Sequence, residues 1–379
     1  MQQISIWEKE TFFQQQDVII IGSGFTGLWS ALHLKLLHPE YKVTILERGL
    51  IPIGASTRNA GFSCFGSPSE ILNDAAIMGE ADMWTLVKMR FTGIKEIRSF
   101  FADEVIDYDG SGGYECFIRD SNDWRECRDK LGWLNAGLRE ITGEENLFKV
   151  ATEKMKNFGF HGLHQMIENK LEAGLHPGKL LKALLSKVYS LGVQVFTGVE
   201  VQEYIQHGNH ISISTSSAVD FTTRQLLLCT NAFTKQLVPS IDIIPNRGQV
   251  LLTNPIDNLP FKGVFHFDKG YYYFRNLGNR VLMGGGRNNA FEEENTLNIC
   301  TSDLIQEVLE QFIRQKILSY TAFTVTDRWA GIMAMGSEKL PIVKALGDNV
   351  FCCVRMSGMG VALAPVAAKK AIQLMDKSL

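Results

Sequence analysis

Residues 17–47 read DVIIIGSGFTGLWSALHLKLLHPEYKVTILE. Val18 to Ile21 form a continuous apolar run, the pattern of a parallel strand buried on both faces. Gly22, Gly24 and Gly27 follow as G-x-G-x-x-G, with Phe25 and Thr26 between the second and third glycines. Phe25, Leu28, Trp29, Leu32 and Leu36 then recur at three- and four-residue spacing, which predicts a helix, and Pro39 stops it. KVTILE is a second strand ending at Glu47.

Each part of this unit has a physical task. Gly22 permits the tight turn, Gly24 lets a pyrophosphate approach the backbone, and Gly27 lets helix and strand pack closely. The helix N-terminus offers unpaired N–H groups and a partial positive charge to phosphates, and Glu47 can accept hydrogen bonds from an adenosine ribose. Strand, glycines, helix, second strand and acid in register make a dinucleotide-binding half-site. The motif alone leaves NAD and FAD open. It occurs once, and regular βαβ units do not follow it. The chain runs instead into ERGLIPIGASTRNAGFSCFG (47–66), whose core GASTRNAGF (54–62) is rich in glycine and small residues.

Composition fits an ordinary globular protein and excludes several other classes. A chain of 379 residues, 45% hydrophobic and 21% charged, has material for two domains. A net charge of −3 with scattered Lys and Arg gives no electrostatic case for nucleic acid or an anionic membrane. No stretch of about 18 apolar residues predicts a transmembrane segment. The first sixteen residues carry Glu8, Lys9 and Glu10 where a signal peptide needs an apolar core. The seven cysteines form no C-x-x-C pair, and Cys352–Cys353 lie in the apolar run NVFCCV, which indicates reduced thiols and a cytoplasmic setting. His161 and His164 in HGLH lack further ligands at metal-site spacing, so no metal is expected.

The chain resembles the D-amino-acid oxidase (DAO) family of FAD-dependent amine and amino-acid oxidoreductases. The resemblance is carried by IGSGFTGLWSALHL, ERGLIPIGASTRNAGF, LHPGKLLKALLSKVYSLGVQVF, CTNAFT, RGQVLLT, YYYFRNLGNRVLMGGG, RWAGIMAMGSEKLPIV and SGMGVALAP, in the family's order. GASTRNAG and YFR…NRVLMGGG are most similar to its γ-glutamylputrescine oxidase-like branch. The resemblance implies an α/β chain with a discontinuous Rossmann-like FAD-binding domain from 1–80, 158–240 and 325–379. An α+β substrate domain with an antiparallel sheet would come from 81–157 and 241–324.

Local patterns agree. SPSE, with Ser67, Pro68 and Glu70, reads as a capping box with proline at the first helical position, and an amphipathic helix follows from Glu80. Residues 193–215 read as short strands with a His207–Gly208–Asn209 turn. Residues 263–286 read as a meander with turns at DKG and LGN. Residues 358–375 read as a helix entered through glycines.

By resemblance, Gly22, Gly24, Phe25, Thr26 and Gly27 would hold the pyrophosphate, and Glu47 with Arg48 the adenosine side. Ser56, Thr57, Arg58, Asn59, Ala60 and Gly61 would run along the ribityl chain to the flavin ring. Val201 would meet adenine, and Thr230, Asn231 and Ala232 would close the second crossing. Gly331, Gly358, Met359, Gly360 and Val361 would lie at the flavin. The family's covalent attachment uses a cysteine near the W-x-G motif; no cysteine lies between Cys300 and Cys352, so non-covalent FAD is expected.

The substrate side departs from the family. Its amino-acid oxidases place an arginine after W-x-G to clamp the substrate carboxylate; here that position is Met333. The departure favours a substrate amine without an obligatory α-carboxylate. Arg275 is a second possible clamp, or a structural arginine of the sheet. Tyr271 and Tyr273 share one strand face, where they could line a pocket or pack in the core, and Tyr272 points the other way. His266 is a candidate base or a structural histidine. The lysine that related oxidases use to activate oxygen aligns with Leu282, which leaves oxygen or another electron acceptor open. The expected reaction is C–N oxidation of a small-molecule amine or amino acid, with hydride transfer to flavin N5 and hydrolysis of the resulting imine. An FAD-dependent amino-acid or 2-hydroxy-acid oxidase or dehydrogenase, and an inactive flavin-binding interaction protein, are the alternatives.

Overall fold

The computed structural model describes residues 3–217 and 219–377. Two compact units emerge: Met1–Thr57, Gly178–Pro245 and Met333–Leu379 form the first, and Arg58–Pro177 with Asn246–Ile332 the second.

The first unit is built on the strand Gln16–Ile21. It pairs in parallel with Val43–Glu47 on one side and Phe221–Leu228 on the other. Gln194–Thr197 and Val350–Val354 extend the parallel sheet outward, and Ile342–Ala345 closes one edge in antiparallel sense. The helices Phe25–Leu37 and Gly360–Asp376 pack on this sheet's apolar strands. Val18, Ile19 and Ile20 are fully buried, as a strand covered on both faces requires. The strands Val201–His207 and His210–Thr215 form a hairpin closed by Gly208 and Asn209, with Gly208 at φ +55°.

The second unit holds an eight-stranded sheet. Its order runs Val325–Met335, Ile244–Thr253, Arg280–Gly285, Tyr272–Leu277, Val264–Phe267, Gly113–Phe117, Gln165–Asn169 and Phe148–Val150. The meander appears in register: Phe267 faces Tyr272 across the turn Asp268–Tyr271, whose first three residues are left-handed, and Leu277 faces Arg280 across Gly278–Asn279. The sheet is largely antiparallel, but Val264–Phe267 runs parallel to Gly113–Phe117. One face buries an aromatic core in which Phe265 and Phe274 stack at 4.7 Å, with Phe160, Phe261 and Phe312 around them.

Two local findings differ from the sequence reading. Residues 58–80, 158–177 and 325–332, expected with the nucleotide-binding unit, cluster with the second, and 241–245 cluster with the first. Phe62–Ser63 pairs with Ala173–Gly174, and Gln165–Asn169 is an interior strand of the second sheet. Ser67 also makes no capping hydrogen bond, and its buried hydroxyl has no partner among the described residues. The buried carboxylate of Glu115 accepts from the backbone N–H of Ser69 at 2.9 Å and from the Ser69 hydroxyl, so an acid from the sheet caps the helix Pro68–Met78.

Candidate functional site

The glycine turn follows its physical logic closely. Gly22 sits at φ +100°, and a Cβ there would lie 2.9 Å from the Cys229 carbonyl oxygen. A Cβ on Gly27 would come within 1.9 Å of the Gly22 oxygen, so helix and turn meet where only glycine fits. Gly24 has no side chain to cap the helix that begins at Phe25. Ser56, from the 54–62 loop, substitutes: its Oγ accepts from the Phe25 N–H at 2.9 Å. Thr26 and Gly27 keep their amides ahead of the first intrahelical bond, Leu28 to Gly24.

Glu47 is buried at the end of the second strand. One carboxylate oxygen accepts from the Ser23 N–H at 3.0 Å and the Ser23 hydroxyl at 2.8 Å, and the other accepts from the Gly49 N–H at 2.9 Å. The acid thus ties the glycine turn to the chain beyond its own strand, and the oxygen facing Gly49 retains a lone pair. Arg48 lies over the Phe233 ring at 3.7 Å. Thr57 closes the Ala55–Thr57 turn by donating to the Pro52 oxygen.

Elsewhere in the first unit, half-buried Val201 opens a largely exposed strand. Thr230, Asn231 and buried Ala232 begin a 3-10 turn, with Asn231 at φ +46° and its Oδ1 accepting from the Arg355 N–H. Gly358, at φ +80°, leads through Met359 and Gly360 into the helix that buries Val361, and the Met333 sulfur lies 3.4 Å from where a Gly358 Cβ would stand.

In the second unit, Arg58 to Gly61 form a loop pinned at both ends. Trp329 donates its indole N–H to the Arg58 oxygen at 3.0 Å, and Arg58 Nη1 donates to the Ala330 oxygen at 3.0 Å. Gly331 must be small because a Cβ would stand 2.9 Å from that of Arg58. Asn59 Oδ1 accepts from the Gly61 N–H. Arg275 Nη1 donates to the carbonyls of Gly61 at 2.7 Å and Leu175 at 2.9 Å, and its Nε donates to the Asn276 oxygen. With 4% of its surface exposed, Arg275 is a buried brace of this loop, and burial pulls its pKa down. Its Nη1 and Nε serve backbone carbonyls, the arrangement of a structural arginine.

Tyr273 and Tyr272 separate as alternation requires. Tyr272 stacks on Phe312 in the aromatic core. Tyr273 joins Phe62, Leu277 and Trp329 around a second cluster of Ala60, Val250, Leu252 and Leu282. Burial raises the Tyr273 phenol to about 12, with Arg287 opposing.

His266 is buried, edge-on to Phe62. Its Nε2 lies 3.3 Å from Glu172 Oε2, close enough for an ion pair but not aligned as a hydrogen bond. Burial pulls its pKa down, yet Glu172, Glu70 and Glu115 together carry it above the ordinary value. Glu172 Oε1 accepts from the Phe65 and Gly66 N–H groups. Cys64, Glu172 and His266 present possible metal-ligand atoms within 4.8 Å of one another. Burial holds the Cys64 thiol far above its usual range, and the Arg275 guanidinium acts on it from nearby. A neutral thiol beside a fixed cation suits a hydrogen-bonded structural knot.

Residues 17–374 match the family described as FAD dependent oxidoreductase (DAO). The chain belongs to that family. Among curated relatives of this DAO chain, "Probable oxidoreductase OrdL" of Haemophilus influenzae is 25% identical, covering 95% of this chain and 82% of its own. Gamma-glutamylputrescine oxidoreductase of Escherichia coli K12 is 24% identical, covering 95% and 83%. The L-proline dehydrogenase structure from P. horikoshii superposes with a TM-score of 0.76 at 16% identity, covering 97% and 94%, which shows a shared fold. The chain is thus an FAD-dependent oxidoreductase.

The residues present suit that cofactor. A Cβ on Gly24 would meet only Ser56, which leaves the backbone there open to a pyrophosphate, and the Thr26 and Gly27 amides supply donors. No helix among the described residues is long and apolar enough to cross a membrane. Sequence reasoning did not single out Ser23, Glu115, Glu172, Asn246 or Arg287. Ser23 lies inside the glycine motif as a variable position, and the two acids act through long-range contacts that no local spacing reveals. Arg287 carried one signal, the Gly284–Gly285–Gly286 run just before it.

Proposed function

We propose that the protein oxidises the C–N bond of a small-molecule amine, with FAD held non-covalently. Gly22, Gly24, Phe25, Thr26 and Gly27 would hold the pyrophosphate, Glu47 and Arg48 the adenosine side, and Ser56 to Gly61 the path to the ring. Val201, Thr230, Asn231, Ala232, Gly331 and Gly358 to Val361 would complete the cradle. When bound, FAD supplies the two-electron acceptor for a hydride from the substrate carbon. Loss of that hydride, with the N–H proton released to water, leaves an imine, which water hydrolyses to a carbonyl compound and an amine. This chain's part is to orient a neutral amine and keep water from the C–H bond.

The observation that carries this reading is the surrounding of Tyr273. Ala60, Val250, Leu252 and Leu282 make an apolar wall there; by the family resemblance, Leu282 aligns with the lysine of related oxidases. Such a wall favours the uncharged amine and provides no side chain to take a proton, which hydride removal does not require. The names of the relatives from Escherichia coli and P. horikoshii, one acting on γ-glutamylputrescine and the other on L-proline, support nitrogen-bearing substrates.

The test is anaerobic mixing of the yellow protein with amines, amino acids and hydroxy acids while the flavin's visible absorbance is followed. Amines should bleach it. Bleaching by hydroxy acids alone would replace this reading with hydroxy-acid oxidation, and bleaching by nothing would indicate a flavin-binding protein without this activity. Admitting oxygen then tells an oxidase from a dehydrogenase: rapid return of colour marks oxygen as acceptor.

A further inference from the structure

Arg287 is a half-buried guanidinium without a carboxylate. The strand before it, Arg280–Gly285, ends in Gly285 at φ +114°, and Gly286 follows at φ +74°. A Cβ on Gly285 would stand 2.0 Å from the Tyr271 oxygen, and the Gly286 N–H donates to that oxygen at 2.8 Å. These glycines fold the chain tightly over Tyr271, so the Arg287 guanidinium lies 5.2 Å from the Tyr271 ring and 5.4 Å from that of Phe291. Nη1 donates to Asn246 Oδ1 at 3.0 Å. Among the described residues, the guanidinium's remaining donors have no hydrogen-bond partner.

The contrast with neighbouring arginines is informative. Arg247 meets both oxygens of buried Glu294 at 2.9 and 2.6 Å, and Arg280 pairs with Asp327 at 2.9 Å. Arg275 gives its Nη1 and Nε to backbone carbonyls. Burial depresses the Arg287 pKa, opposed by the Tyr271 and Tyr273 phenols, so this cation has lost solvent without gaining an acid. Tyr273 belongs to the wall that includes Ala60 of the pinned loop. A planar fork with unspent donors, fixed by two aromatic rings and an amide, is built to receive a planar anion in two-point contact.

We propose that Arg287, flanked by Tyr271, Tyr273 and Asn246, binds a carboxylate of the substrate. This rests on the amine-oxidation reading and narrows it to amines that also carry an acid group.

The test uses the FAD-loaded protein, with retained yellow colour and unchanged melting temperature as the check on folding. Glutarate and its uncharged diamide are titrated by calorimetry against wild type, Arg287→Met and Arg287→Lys. Glutarate should bind wild type, the diamide should not, and Arg287→Met should weaken glutarate binding about 10- to 100-fold. Lysine should recover part of the loss. In parallel, 4-aminobutyrate and butylamine are compared as reductants of the flavin, and Arg287→Met should raise the concentration needed for half-reduction by the amino acid only. Glutarate binding that ignores Arg287→Met, or amines that reduce the flavin equally with and without a carboxylate, would overturn the proposal while leaving amine oxidation intact. Arginine-dependent glutarate binding with no reduction by any amine would uphold the anion site and overturn amine oxidation. Failure of wild type to bind glutarate or to discriminate between the paired amines would overturn it as well.

Discussion

Arg275 and Gly61 are joined by a 2.7 Å hydrogen bond from Nη1 to a carbonyl that also accepts from the Leu175 N–H. Gly61 is left-handed at φ +73°, and a Cβ there would lie 2.2 Å from the Leu175 oxygen. The guanidinium thus fastens a loop whose backbone only glycine can complete, and it does so with no acid in hydrogen-bond reach among the described residues.

Replacing Arg275 by methionine leaves the Leu175 carbonyl short of a donor and unfastens the loop end. The cost should be about 2–4 kcal/mol, read as a melting-temperature drop of roughly 4–16 °C. Flavin content should fall with it, because Asn59 to Gly61 lose their support. A variant as stable and as yellow as wild type would show that the brace is redundant.

The strand–helix–strand start of the first unit was legible in the sequence, because its signals are local. Val18 to Ile21, the three glycines and Glu47 lie within a short stretch whose geometry follows from chirality and sterics alone. The Tyr272/Tyr273 alternation was legible for the same reason. What stayed hidden depends on partners far away in sequence. No local spacing shows that the Gly61 and Leu175 carbonyls lie on the Arg275 guanidinium, and Ser67 read as a cap until Glu115 took the amide next door. A residue type announces what it can bond, and the fold decides what it does bond.

Glu47 meets three donors, so its charge organises the turn. In Glu47→Gln the amide NH2 must face the N–H of Gly49 or that of Ser23, neither of which can accept; only the Ser23 hydroxyl could turn its oxygen to do so. The expected loss is about 1–3 kcal/mol in the apoprotein, measured by urea unfolding, together with weaker FAD retention. An apoprotein of unchanged stability that still loses FAD would assign Glu47 to the ribose alone.

Glu115 should make the second unit pH-sensitive. Burial raises its carboxyl from 4.5 to about 7, so between those values the folded chain binds a proton that the unfolded chain has released. Stability therefore falls as pH rises through that window, by up to about 3 kcal/mol. His266 acts in the same sense: its raised pKa gives stabilisation that is full below its unfolded value and fades as pH climbs through the folded one. Glu115→Gln should flatten the slope and be more stable than wild type at pH 8. Unfolding curves from pH 5 to 8 that coincide for wild type would contradict this account.

Gly27→Ala and Gly24→Ala should fail in different ways. A Cβ at position 27 stands 1.9 Å from the Gly22 backbone oxygen, which cannot withdraw without opening the turn, so this variant should lose several degrees of melting temperature even as apoprotein. A Cβ at position 24 meets only Ser56 Oγ at 2.9 Å. The hydroxyl can rotate away, at the cost of the cap on Phe25, about 0.5–2 kcal/mol. That apoprotein should stay folded, but its new methyl stands where a pyrophosphate would approach, and it should purify nearly colourless. Ser56→Ala separates the two effects, since it removes the cap and adds no atom: it should keep more flavin than Gly24→Ala at comparable stability. If Gly24→Ala remains fully yellow, the approach over Gly24 is not the path of the cofactor.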